Sequence, residues 1–574
     1  MKRILLTLFV SLFMTLSVIA QNNPDVFRAL GSPEDPKVQV SWNRYLTHSG
    51  ITDLSQKLAE AHPDFIKLSS IGESYEGREL WMLTVTNHNN KPHTEKPGYY
   101  IDGNIHANEI QGAEISLYTA WYLAENYEDI EFIRNLMDSR VFYIVPSINP
   151  DGRDHYMNQP NNANTPRSGV KPVDNDGDGE LSEDSFNDLN NDNHITQMRR
   201  ENPRGNWTTD PDFPRRMIRT DTDEFGSYEM LGWEGVDNDG DGEVNEDRTG
   251  YYDPNRDWGW NWQPDYVQRG AYKYPFSLPE NRAVADFVIA HPNIAGAQSY
   301  HNTGGMLLRG PGAAEDADTY NRTDEAVYDF LGEIGDEMMP GYRYMVVHRD
   351  LYTVFGGELD WFYGGRGIFT FTNELYTSHM MFGRDAEPGD RYKFDELLLF
   401  NDGWVEWETY DHPQFGEVEI GGFKKNFGRA NPGFLLESDA HRNMAFTLFH
   451  AYHLPELGIS DVSSKDLGSG LREITATITN NRVIPTHASH DLMNNITPPN
   501  VITIDGVDVQ AGMIVEDEDF GITTEQTHNP ESLRVENIPG MDEITVRWIV
   551  RGNGDFTIRV DSNKGGKLSE EFSL

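Results

Sequence analysis

Two side chains three residues apart, His106 and Glu109, sit in the run Asp102-Gly103-Asn104-Ile105-His106-Ala107-Asn108-Glu109. An imidazole and a carboxylate at this spacing offer two ligands to a zinc ion; catalytic zinc takes one more protein ligand and keeps a position open for water. Alone, His-x-x-Glu is equally an ordinary polar pair at a strand end. Four later stretches change that balance. Ser299-Tyr300-His301 closes an apolar run with a histidine, placed to be a third zinc ligand. Asn255-Arg256 lies in Tyr251-Tyr252-Asp253-Pro254-Asn255-Arg256-Asp257-Trp258, and Tyr352 shortly precedes Gly356-Gly357-Glu358-Leu359-Asp360-Trp361. Glu374 closes Phe369-Thr370-Phe371-Thr372-Asn373-Glu374-Leu375.

Positioning these groups requires strands that end together. Residues 98–105 read as an extended apolar run that delivers His106 and Glu109 to the lip of a sheet, with an amphipathic helix at about 110–127 behind it. Upstream, 42–61 reads as a helix, and 66–70 and 78–86 as strands. Residues 140–148 form a nearly continuous apolar strand, suited to a sheet covered on both faces, and Asn149-Pro150-Asp151-Gly152 is expected to end it. Further on come a helix at 281–290, a strand at 294–301, a helix at 324–339, a strand at 344–348, a helix or turn at 359–363, a strand at 367–374 and a helix at 443–453. Strands alternating with helices predict an α/β class with its chemistry at the strand ends.

Taken in order, the five motifs resemble those of the zinc carboxypeptidase family, carboxypeptidase A type, over roughly residues 38–455 apart from an insertion. The resemblance implies a mixed central sheet flanked by helices. It implies His106, Glu109 and His301 as zinc ligands, Asn255 and Arg256 as the grip on a substrate's terminal carboxylate, Tyr352 as a residue that closes over the substrate, and Glu374 as general base for a zinc-activated water. The chemistry suits each role: zinc makes hydroxide available near neutral pH, a carboxylate can shuttle the proton to the leaving amine, and a planar guanidinium holds a carboxylate bidentately. Asn108 stands where carboxypeptidase A has an arginine, so one substrate-side contact is lost. The arginine that stabilises the oxyanion in the family is displaced by the insertion; Arg167 is the preferred candidate, with Arg153 and Arg199 as alternatives. Leu359, two residues after Gly357, favours an apolar C-terminal residue over a basic one.

The expected activity is therefore hydrolysis of the C-terminal bond of peptides. A peptidoglycan stem-peptide carboxypeptidase would use the same residues. A zinc deacylase would need no Asn255-Arg256 clamp, and a non-catalytic binding protein would have no use for both the ligands and Glu374.

The insertion, about 154–250, is rich in Asp, Asn and Gly and contains a repeat. Val173-Asp174-Asn175-Asp176-Gly177-Asp178-Gly179-Glu180 recurs as Val236-Asp237-Asn238-Asp239-Gly240-Asp241-Gly242-Glu243, and Asp188-Leu189-Asn190-Asn191-Asp192-Asn193 is a weaker copy. Oxygens from Asp174, Asp176 and Asp178, from Asp237, Asp239 and Asp241, and from Asp188, Asn190 and Asp192 have the spacing of a calcium loop, which predicts structural calcium. Ser185 and Arg248 occupy the twelfth positions, and no helices flank the loops, which excludes an EF-hand sensor.

Residues 1–20 read as a signal peptide: Lys2 and Arg3, an apolar run, then Val18-Ile19-Ala20 before Gln21. Export to the periplasm or beyond is expected, and no later segment is long and apolar enough for an integral membrane span. The net charge of -46 repels nucleic acid and anionic membrane. With no cysteine, disulfides are excluded as staples. Residues 21–455 are expected to form the catalytic domain, and 456–574, with short β-rich runs between Gly, Asn and Pro, a C-terminal β-sandwich.

Overall fold

Helix α1 (His48–Ala61) begins later than the apolar pattern suggested because Thr47 caps it, its hydroxyl accepting from the Gly50 amide. Strands β1 (Ile66–Glu73) and β2 (Glu79–Val85) pair antiparallel. Next come β3 (Gly98–Gly103), α2 (Gln111–Glu125), α3 (Glu131–Ser139) and β4 (Val141–Val145). Every residue of β3 and β4 is buried, as layers on both faces of the sheet demand. The strand ends before Asn149, as expected, and the Asn149 side chain accepts from the Gly152 amide and caps α4 (Pro150–Asn158), with Pro150 in the first turn. The Asn-Pro-Asp-Gly run is thus a helix start, the position where a missing proline N–H costs nothing. The computed structural model describes residues 28–159, 167–174, 177–248, 250–552 and 554–573. The expected signal peptide and Asp176 lie outside the described residues.

The insertion forms strands that the sequence pattern did not suggest: β5 (Gln197–Glu201), β6 (Trp207–Thr209), β7 (Met217–Arg219) and β8 (Tyr228–Trp233). After it come α5 (Pro279–Ala290), β9 (Ile294–Asn302), β10 (Met306–Arg309), α6 (Arg322–Met338), β11 (Arg343–Val346) and β12 (Phe369–Leu375). These complete a mixed eight-stranded sheet of order β1-β2-β4-β3-β9-β12-β10-β11. The parallel neighbours β3, β9 and β12 end side by side, with Glu374 in register with His301.

Helix α7 (Asp390–Leu398), strands β13 (Trp404–His412) and β14 (Gly416–Phe423), and helix α8 (Gly433–Tyr452) follow. A second sheet, order β13-β14-β5-β8-β6-β7, joins the insertion to this much later segment. Helix α8 starts ten residues before the apolar run at 443, because buried Asp439 in its early turns accepts hydrogen bonds from Gln111 (2.6 Å), Tyr342 (2.8 Å) and Asn431 (2.7 Å).

Residues 457–572 form two antiparallel sheets of five and four strands enclosing Ile478, Ile502, Trp548 and Ile558. Lys564 anchors this sandwich to the α/β layer: its buried Nζ donates to the Gly367 carbonyl (2.7 Å), the Arg366 carbonyl (3.0 Å) and Asp491 (2.7 Å). Ser489 adds a backbone bond to Asp324 at 2.8 Å. Among the described residues no helix is long and apolar enough to cross a membrane.

Candidate metal centre and active site

The turn after β3 is built by Asn104, which adopts a left-handed conformation at φ 59° and donates to the His106 carbonyl at 2.8 Å. Its Oδ1 accepts from Ser147 and Arg153, tying the turn to the end of β4. Helix α2 must then approach the strand closely. A Cβ on Gly103 would lie 2.6 Å from the Gly112 carbonyl carbon, and one on Gly112 would lie 2.9 Å from the Tyr300 carbonyl oxygen, so both positions need glycine.

This packing brings His106, Glu109 and His301 together, all buried. His106 Nδ1 lies 2.9 Å from Glu109 Oε1, His301 Nδ1 lies 3.0 Å from Glu109 Oε2, and the two Nδ1 atoms are 3.3 Å apart. A tetrahedral site with ligand bonds of 2.0–2.1 Å has edges of about 3.3 Å, so these separations and this N, N, O donor set fit zinc. Each Nδ1 faces its own oxygen of one carboxylate, and His301 Nε2 is buried with no hydrogen-bond partner among the described residues. Burial alone would raise the Glu109 carboxyl, but the His106 and His301 rings outweigh it and hold the group well below the usual carboxylate range.

Asp253, quoted within its motif but given no role from the sequence, links the parts. Its Oδ1 lies 2.9 Å from His106 Nε2 and accepts from the Asn255 amide at 2.8 Å, while Oδ2 lies 3.3 Å from Arg167 Nε and 3.9 Å from Arg256. Against the cost of burial, Arg256, His106 and Arg167 keep it ionised well below its ordinary range. Arg167 Nη2 also approaches His106 Nε2 at 2.8 Å, and Nη1 meets Glu109 at 3.2 Å. The two contacts at Nε2 are alternatives. A ring ligated through Nδ1 carries its proton on Nε2, which selects Asp253 as acceptor and releases Arg167 toward the cavity.

The other arginines differ. Arg153 is fully buried and spent on Glu114 (2.7 Å) and the Ile110 carbonyl (2.7 Å). Arg199 belongs to β5, paired with Glu419 at 2.8 Å and stacked over Trp407.

One cavity is lined by His106, His301, Glu374 and Arg167 together with Asn255, Arg256, Tyr352 and Leu359. Asn255 and Arg256 sit on a short 3-10 turn, Pro254–Arg256. The Asn255 carbonyl oxygen Oδ1 accepts from the Glu358 amide (2.8 Å), which leaves its Nδ2 without a partner among the described residues. Tyr352 is half-exposed at the rim. Leu359 packs with Leu308, Val347 and Val354, giving the cavity an apolar wall. Asp360 lines it as well, but both its oxygens accept from the Gly312 amide and burial pushes its carboxyl up to about 7. For Glu374, burial and then the neighbouring Glu109 push the carboxyl up to about 7, against His301, Arg167 and Arg429.

The expected calcium loops pair with one another. Asp184 accepts from the Asn238 side chain and the Asn245 amide, and Asp247 from the Ser182 amide. Ligand atoms of Asp237, Asp239 and Asp241 gather within 4.8 Å, as do those of Asp178, Glu183 and Asp239. Asp174 instead accepts from the Gly177 amide, and in the weaker copy Asp188, Asn190 and Asp192 accept from backbone amides of residues 192–194.

A family model described as zinc carboxypeptidase matches residues 51–387. The chain belongs to the zinc carboxypeptidase family. A second model, a domain of unknown function, matches residues 456–573. Among relatives, a zinc carboxypeptidase of Saccharothrix mutabilis subsp. capreolus is 36% identical over 126 residues, 22% of this chain and 28% of that protein. Carboxypeptidase D of Anas platyrhynchos is 34% identical over 116 residues, 20% of this chain and 8% of that protein. The chain thus spans well under two thirds of the length of these relatives. Among solved structures, carboxypeptidase A from Helicoverpa armigera matches with a TM-score of 0.44 at 16% identity, covering 72% of this chain and 75% of that one. The zinc carboxypeptidase assignment agrees with the donor set of His106, Glu109 and His301.

Proposed function

We propose that this chain is an exported metallocarboxypeptidase that removes the C-terminal residue of peptides. The observation that carries the reading is that a guanidinium-amide pair, Arg256 and Asn255, shares one cavity with the His106-Glu109-His301 donor set and with Glu374. His106, Glu109 and His301 would hold the zinc ion that the family implies. When bound, zinc lowers the pKa of a water into the working range and polarises the scissile carbonyl. Arg256 and Asn255 grip the free terminal carboxylate, and Leu359 with Val347 and Val354 receives an apolar terminal side chain. Glu374 takes the proton of the attacking water and delivers it to the leaving amine. Arg167 donates toward the developing oxyanion, and Tyr352 closes the rim.

The test is release of terminal residues from free and C-terminally amidated peptides and from wall stem-peptide fragments by purified protein supplied with zinc. Cleavage of free peptides alone supports the clamp; cleavage confined to wall fragments moves the protein to the stem-peptide reading. Substitution Glu374→Gln should abolish turnover while zinc stays bound, and retained activity sinks the assigned base.

The same reading takes residues 21–455 as catalytic and 456–574 as an accessory sandwich. It assigns calcium to the paired acidic loops, supported by the gathered oxygens of Asp237, Asp239 and Asp241. Melting in calcium against chelator, with zinc held constant, checks this: no shift removes calcium from the account. Export rests on residues 1–20 and is checked by cell fractionation.

A further inference from the structure

The second sheet does more than brace the insertion. Together with α7 and the segment after Glu374 it encloses a groove of about 810 Å³, within the size range of specific ligand sites, roughly 300–1,000 Å³. Its walls carry Trp207, Trp233, Tyr376, Tyr392, Trp404 and Trp407, and the indole N–H groups of Trp404 and Trp407 are buried without hydrogen-bond partners among the described residues. Rings of this kind, each an apolar face with a polar edge, suit a ligand that is partly apolar and partly hydrogen-bonding.

The groove reaches the segments that follow two strands of the catalytic cavity. Thr303 and Gly304, two and three residues beyond His301, line it, and so does Tyr376, two beyond Glu374. The carboxylate clamp lines the other cavity, together with His301 and Glu374. A chain with its terminal carboxylate at Arg256 and its last peptide bond at Glu374 would have to cross the ends of β9 and β12 to reach the groove.

Among its described residues the groove holds one cation that no nearby acid offsets. The whole chain carries -46, yet the lining has Arg215, Arg216 and Arg391 against the single acid Glu387. Arg215 is engaged by Asp395 and Glu406, and Arg216 by Asp210. Arg391 is exposed, lies over the rings of Phe423 (4.7 Å) and Phe427 (5.3 Å), and has no acidic partner among the described residues. Arg429, next in sequence to groove-lining Gly428, forms no ion pair among the described residues.

We infer that this groove binds the segment of a peptide substrate that precedes the scissile bond, and that it prefers carboxylate side chains there. The inference rests on the carboxypeptidase reading for its orientation. Such contacts act alike on ground and transition states, so they lower KM and leave kcat nearly unchanged.

The experiment compares three substrates with the same two terminal residues: an N-acyl dipeptide too short to reach the groove, a decapeptide with glutamates upstream, and one with lysines upstream. The acidic decapeptide should exceed the basic one in kcat/KM by about three- to tenfold through KM, the scale of one or two exposed ion pairs. Arg391→Glu should collapse that ratio toward one or invert it. Equal kcat/KM for the two decapeptides, or a ratio unmoved by Arg391→Glu, overturns the inference. If none of the three substrates is cleaved, it is the carboxypeptidase reading that fails. Binding then decides the groove by itself, through tryptophan fluorescence of the full chain titrated with the C-terminally amidated glutamate peptide. Saturable quenching that salt and Arg391→Glu weaken supports it; quenching by the lysine peptide or by a wall glycan instead refutes it.

Discussion

Replacing Asp253 by alanine tests whether the zinc ligands are held from behind. The carboxylate is largely shielded, its side chain 14% exposed, and meets His106 Nε2 at 2.9 Å. Outer partners of a ligating histidine are worth about 10–100-fold in metal affinity, or roughly 1.4–2.7 kcal/mol at 1.4 kcal/mol per tenfold. The surroundings put alanine at the upper end. Its loss also leaves Arg167 and Arg256 facing His106 without their shared counter-charge, and Arg167 Nη2 already lies 2.8 Å from Nε2, where it competes for the tautomer. Asp253→Asn keeps an acceptor for the Nε2 proton and should cost about tenfold, with alanine about a hundredfold. Competition for zinc against a chromophoric chelator, on metal-free protein with its circular dichroism checked, measures both. A correctly folded alanine variant that binds zinc within about threefold of wild type would show that the reasoning from these contacts is wrong.

Arg256→Ala should lower kcat/KM on free peptides by about a hundredfold, the scale of hydrogen bonds to a charged group, and leave any slow cleavage of amidated peptides where it was; an equal loss on both would mean that no carboxylate is gripped. The pH profile follows Glu374, whose basic form is required: activity should fall as pH drops through its pKa. Without metal that carboxyl stands at about 7, and a bound dication favours the ionised form, so the acidic limb of kcat/KM should have its midpoint below 7. A flat profile from about pH 4 to 8, spanning the ordinary glutamate value of about 4.3, argues against this base. Lys564→Ala strands the fully buried Asp491 carboxylate, and removing one partner of a buried pair costs about 3–5 kcal/mol. Urea unfolding should show that loss, and a clearly smaller one when Lys564→Met is combined with Asp491→Asn.

The sequence carried the reaction centre better than its supports. His106, Glu109, His301 and Glu374 each follow or end an apolar run, so their convergence needs only that β3, β9 and β12 lie side by side. Asp253 was hidden because His106 and Arg167 reach it from two distant segments and no spacing announces it. The strands of the insertion were illegible for a related reason. They are three to six residues long and largely half-exposed, and Met198 finds its partner Ile420 more than two hundred residues on. Helix α8 ran past its apolar stretch because its early turns bury Asp439, a polar residue satisfied only by tertiary partners.

Strand β14 is bonded on one side to β13 and on the other to β5, Glu419 opposite Arg199, Ile420 opposite Met198 and Gly421 opposite Gln197. Trimming residues 190–235 would bare that side, with Ile420 uncovered and a row of amides and carbonyls left without partners, a ready template for another copy. A shortened chain should therefore fail by self-association while its histidines still meet. The acidic insertion, read from sequence as a place for cations, is also what covers the open side of β14.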